Sequence, residues 1–222
     1  MSRQSYKTKK LFLASTISLC VAGCTSDYPA LTFMPSGTSL LVSGIIDERA
    51  LARFDEAIEN SPDATTLVFQ YVPGSLDDHS NLILARRVRA MGLQTEIPAS
   101  GLVASGGTDL FLAGEKRSIS GGACVGVHTW GDETVGIGSQ VPRSDPIHAL
   151  YLEYYKEMGI DEAFYWFTLD AAGPEDTHWM TLDEITEYSM TTTEQETSSS
   201  QSILLLECEE RLVDGFERLL SK

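Results

Sequence analysis

A serine followed by two glycines, Ser105-Gly106-Gly107, and a histidine 23 residues later, His128, are the residues of this 222-residue chain whose types suit covalent chemistry. A serine hydroxyl at neutral pH is a weak nucleophile and needs an imidazole to take its proton. Given both, the chemistry is acyl transfer from an ester or amide. Ala99–Gly107 is rich in small residues and Thr108–Ala113 reads as a helix, which puts Ser105 at a helix start. There the N–H of Gly106 would point at a developing oxyanion, and neither glycine carries a side chain to block a substrate. The same residues also read as packing, with Ser105 one more small residue at a close approach and His128, beside Trp130, a buried histidine bonded to backbone.

Alternating strands and helices must hold these groups. Ser39–Ile46 is a continuous apolar run of strand length. Asp47 then caps a helix with Leu51, Phe54, Ala57 and Ile58 at helical spacing. Thr65–Val72, rich in β-branched and aromatic residues, is the strongest strand, and the turn Pro73-Gly74-Ser75 leads into a helix over about 78–91, stopped by Gly92. Further strands are expected at Gln94–Ile97, Arg117–Ser120 and Ala123–His128, and helices at Pro146–Met158, Asp161–Ala172 and Thr181–Tyr188. The last has a capping box in Thr181 and Glu184. Strands alternating with helices of about 10–15 residues imply βαβ units and a largely parallel sheet. Residues 191–200 (TTTEQETSSS) read as a flexible linker. Beyond it, Leu205, Cys208, Leu212, Phe216 and Leu219 form one stripe of an amphipathic tail helix that must dock on the domain or on a second subunit.

The chain's start reads as an address. Residues 1–10 carry four basic residues and no acid, and Leu11–Gly23 is a 13-residue apolar run, too short for a mature membrane helix. It ends Val21-Ala22-Gly23-Cys24, which resembles the lipobox of bacterial lipoproteins, whereas Cys20 follows a bulky leucine. That resemblance implies a lipidated Cys24 after cleavage. Thr25, not Asp, follows it, so the expected location is the outer membrane facing the periplasm. An ordinary secretory signal is the alternative. Loss of the leader leaves 12 basic against 32 acidic residues, a net charge of −20. Such a surface excludes nucleic acid and is repelled by anionic lipid, so attachment would rest on the lipid chains. Residues 24–38 read as a tether to a single domain over 39–190.

Three segments together, Val72-Pro73-Gly74-Ser75, Val103–Gly107 and Gly126-Val127-His128, resemble the Clp-type serine peptidases of the crotonase-like superfamily, over roughly residues 40–190. The resemblance implies an α/β fold, a crotonase-like (Clp-protease-like) spiral of ββα and βαβ units. It implies catalytic Ser105 and His128 and an oxyanion hole from the N–H groups of Gly106 and Ser75. Ser75 replaces the family's second glycine, where a positive φ would strain a serine. The family's acid falls near Asp170, Glu175 and Asp176; Asp176 is taken first, then Asp170, and a dyad without an acid is a further option. Implied too are a peptide or acyl substrate and a homo-oligomer, a trimer or ring. A superfamily member kept only for binding or assembly, and acyl-CoA chemistry in the same oxyanion hole, are the alternatives; coenzyme A is a cytoplasmic cofactor, which weighs against the second.

Other layouts fit less well. Val103 stands where the α/β-hydrolase elbow needs glycine, none of Lys116, Lys156 and Lys222 matches a lysine base, and SxxK and GxxxxGK are absent. No cofactor or metal is expected, since His79, His148 and His178 lack ligand spacing. Cys124 reads as a buried small hydrophobe, a disulfide with Cys208 being allowed outside the cytoplasm.

Overall fold

The structure, a computed structural model, describes residues 28–132, 134–192 and 201–221, the side chains of 201–206 excepted. The leader, Cys24 and all but the first two residues of the 191–200 linker lie outside the described residues. Strands β1 (Thr32–Ser36) and β2 (Ser39–Ser43) form a hairpin, so part of the stretch read as a tether belongs to the sheet. Phe33 of β1 points inward and meets Phe54 edge-on, ring centres 5.4 Å apart. Helix α1 (Ala50–Asn60) buries Ala50, Phe54 and Ala57. It begins two residues later than the capping reading required; Asp47 instead accepts from the Arg49 N–H at 2.9 Å and pairs with Arg53.

β3 (Thr66–Val72) leads through the Pro73–Ser75 turn to α2 (Asp78–Ala90), where Asp77 caps the Ser80 N–H at 2.7 Å. Then come β4 (Gln94–Ile97), β5 (Leu102–Ala104), α3 (Gly106–Leu112), β6 (Arg117–Ile119) and β7 (Cys124–Val127). A small hairpin, β8 (Gly131–Asp132) with β9 (Gly136–Ile137), precedes α4 (Ala149–Glu157) and α5 (Glu162–Ala171). The described chain closes with β10 (His178–Trp179), α6 (Leu182–Glu187) under its expected capping box, and α7 (Gln201–Leu220).

The main sheet runs β1-β2-β3-β5-β7-β10, parallel inside, with β1 and β10 antiparallel at its edges. It forks at β3: Thr66–Val68 pair with β4, which continues to β6, while Tyr71 and Val72 pair with β5. Helix α3 packs against strands of both branches, and all seven of its residues are buried. β5 and β7 are buried at every position, as strands covered on both faces must be. One face meets the main core; the other is covered by α7 through a second cluster of Leu102, Ala104, Cys124, Trp179 and Cys208.

That placement corrects the reading of Cys124 as a lone buried hydrophobe, since it forms a disulfide with Cys208 of α7. The tail helix is held further by Tyr71 donating to the Leu212 carbonyl, by Trp179 donating to Glu209 and by Arg211 donating to the carbonyls of Ala99 and Gly122. It docks on its own domain. The architecture is a single α/β domain with a C-terminal helix. No helix among the described residues is long and apolar enough to cross a membrane.

Candidate active site

Ser105 occupies the single residue between β5 and α3 and has φ 52° and ψ −130°. A serine is strained there, by about 1–3 kcal/mol, and the surroundings hold it in place. Its N–H donates to the Gly126 carbonyl at 3.1 Å, and Thr108 Oγ1 donates to the same oxygen at 2.8 Å. The glycines are needed for close approach. A Cβ on Gly107 would overlap the Val72 carbonyl, and one on Gly106 would overlap the Ser75 side chain. Asn81 of α2 donates to the Gly106 carbonyl at 2.8 Å and fixes the start of α3 against α2.

Ser75 does not have a positive φ, so the strain expected at the serine-for-glycine exchange falls on Ser105 instead. The turn pairs with Ile46: the Ile46 N–H donates to Gly74, and the Leu76 N–H donates to Ile46. In this parallel bridge the N–H of Ser75 points away from Ile46. Among the described residues neither that N–H nor the one of Gly106 makes a hydrogen bond. A Cβ on Gly74 would lie 3.9 Å from Ser105 Oγ, so the turn sits directly beside the serine.

His128 follows β7, and its Nδ1 lies 2.7 Å from the carbonyl of Thr129. A carbonyl only accepts, so Nδ1 carries a proton, and in the neutral imidazole Nε2 then has the lone pair of a base. The loop is anchored, with the Thr129 N–H bonded to Ala172 at 3.0 Å and Thr129 Oγ1 accepting from Ser139 at 2.9 Å. Ser105, Gly106 and His128 line one cavity of about 40 Å³, although among the described residues no hydrogen bond joins the serine to the histidine.

Asp176 lies apart. It is exposed, does not line the cavity and has no hydrogen bond to His128 among the described residues. Asp170 is exposed too and pairs with Arg143 at 3.0 Å; Glu175 is also exposed. The Thr129 carbonyl is the acceptor that meets His128 Nδ1, because the chain turns directly after β7. Among the described residues no three of His, Cys, Asp and Glu gather as metal ligands would.

The cavity also has members that the sequence reading passed over. Asp109, one turn along α3 from Ser105, is 9% exposed and accepts from the Tyr155 hydroxyl at 2.6 Å. Burial pushes its carboxyl up to about 7; the Tyr155 hydrogen bond opposes this and the charge of Asp78 adds to it. Asp78 accepts from Ser75 Oγ at 2.7 Å and from the Tyr151 hydroxyl. Tyr151 stacks on Tyr165, ring centres 5.4 Å apart, and Tyr165 accepts from Trp130 Nε1 at 3.0 Å. Burial raises the hydroxyls of Tyr151 and Tyr155 well above their usual range, so both are donors at any working pH. One sequence signal for Asp109 existed: it is the lone charge between Pro98 and Glu115.

No family model matches this chain, and no curated protein matches it. Solved structures that do match include a membrane protease specific for a stomatin homologue from Pyrococcus horikoshii, 15% identical over 76% of this chain and 75% of that one, with a TM-score of 0.47. Another is a probable enoyl-CoA hydratase from Mycobacterium tuberculosis, 13% identical over 84% of this chain and 82% of that one, TM-score 0.48. A third is an enoyl-CoA hydratase from Polaromonas, 13% identical over 86% and 80%, TM-score 0.46.

Proposed function

We propose that this protein is a serine hydrolase whose substrate is a peptide. Ser105 Oγ attacks the carbonyl carbon as His128 Nε2 takes its proton, and the oxyanion is met by the N–H groups of Gly106 and Ser75. His128 then returns the proton to the leaving amine. Water, deprotonated by the same nitrogen, hydrolyses the acyl-serine to a carboxylic acid and free Ser105. The observation that carries this reading is the strained conformation of Ser105, beside a cavity that a histidine with a free Nε2 also lines.

The Thr129 carbonyl fixes the tautomer of His128 as a carboxylate would, but it lacks a full negative charge to stabilise the imidazolium. With the tautomer held but the imidazolium less stabilised, a slow enzyme is expected. Among the described residues no hydrogen bond joins Ser105 to His128 and no carboxylate meets His128, which favours one other reading, a domain kept for binding or assembly. Fluorophosphonate labelling separates the two, because only an activated serine reacts.

Cys24 would carry the lipid, holding the domain on the outer membrane facing the periplasm, and the active form would be a homo-oligomer. Mass spectrometry of the purified N-terminus tests the first point, and sedimentation in detergent the second.

A further inference from the structure

Two carboxylates, Asp78 and Asp109, line the cavity beside Ser105, and among the described residues no lysine or arginine does. Asp78 has a hydroxyl donor on each oxygen, Ser75 on Oδ1 and Tyr151 on Oδ2. Asp109 is not: Tyr155 donates to Oδ1, and among the described residues no donor reaches Oδ2. A carboxylate nine-tenths buried without a cation is costly, and a charged partner relieves that cost. The rise of its carboxyl to about 7 is the same deficit expressed as proton affinity.

From this arrangement we infer that the cavity binds a primary alkylammonium, the side chain of a lysine in the peptide substrate, with Asp109 as its counter-ion. The inference rests on the serine-hydrolase reading for the peptide, though not for the cation. An ammonium fits better than a guanidinium. A guanidinium fork seeks two oxygens of one carboxylate, and here Tyr155 holds one of them. An ammonium is a compact point charge, and one of its three donors suffices for Oδ2. Trp130, Tyr151 and Tyr155 line the cavity with aromatic rings, and Val127 and Phe164 offer apolar surface to its methylene stem.

The test uses the full chain in detergent and has three arms. Thermal unfolding is followed with butylammonium chloride, against equal concentrations of potassium chloride and of butanol. Fluorophosphonate labelling reports Ser105. Peptidyl-aminocoumarins with Lys, Leu or Glu before the scissile bond report specificity. We expect butylammonium alone to raise Tm, an effect lost in Asp109→Asn. We also expect the Lys peptide to be cleaved about 10⁴-fold faster than the Leu peptide, as for a site whose buried polar group is left unpaired by the wrong substrate. A labelled protein that ignores butylammonium, or cleaves Leu as fast as Lys, overturns the cation site and leaves the hydrolase standing. An unlabelled protein stabilised by butylammonium through Asp109 keeps the cation site and removes the hydrolase. The contrast of butylammonium with butanol on the unmodified chain decides the matter even where the variant does not fold.

Discussion

Replacing Asp109 by asparagine should abolish a pH-dependent loss of stability. Burial raises this carboxyl from 3.8 to about 7, against the opposing Tyr155 hydrogen bond. A group with a raised folded-state value contributes stability that is fully present below 3.8 and is lost as the pH rises through about 7. At about 1.4 kcal/mol per pH unit, the part of that loss falling between pH 5 and 8 is about 3 kcal/mol. Asparagine keeps an oxygen for the Tyr155 hydroxyl and carries no charge. The assay is urea unfolding of both proteins at each pH. The stability of Asp109→Asn relative to the parent should therefore rise by about 3 kcal/mol from pH 5 to 8, and taking the difference cancels the groups distant from Asp109. Asp78, Tyr151, Tyr154 and His128 also surround the site and remain in both. A difference constant to within about 0.5 kcal/mol across that range would refute the claim that Asp109 is buried without a cation.

Other outcomes follow from the same geometry. Ser105→Gly should be more stable than Ser105→Ala by about 1–2 kcal/mol in denaturant titration, since only glycine relieves the φ of 52°. Gly107→Ala places a methyl against the Val72 carbonyl and should cost about 1–3 kcal/mol, measured by the same titration, with loss of fluorophosphonate labelling. Cys208→Ser should cost about 2–4 kcal/mol and speed hydrogen exchange along α7, because the disulfide closes a separation of 84 residues. Thr181→Ala removes the capping box of α6 and should lower stability by about 1 kcal/mol.

The parts of this fold that local physics decides were legible in the sequence. β3 and β4 fall within a residue of the expected bounds, because β-branched runs flanked by turn residues leave few alternatives. The Thr181–Glu184 box works the same way. Helix α3 starts two residues earlier than its sequence pattern indicated, since Gly106 and Gly107 are poor helix formers that tertiary contact with Val72 and Ser75 selects. β1 was hidden by Pro35 and by a burial pattern with a single inward residue. The site was half legible. Ser105, Gly106 and His128 stand around one cavity, whereas Asp176 is left at the surface, because which acceptor meets Nδ1 depends on a one-residue turn. Asp78 and Tyr151 join only through the packing of α2 against α4, which no local pattern encodes.

Catalysis by this protein requires that Ser105 is an activated nucleophile with His128 as its base. Fluorophosphonate labelling of the full chain in detergent, beside Ser105→Ala and His128→Ala, tests it directly. The account predicts labelling of the parent protein at Ser105 and none in either variant. A folded parent protein that does not label, or a His128→Ala variant that labels as fast as the parent, would contradict it.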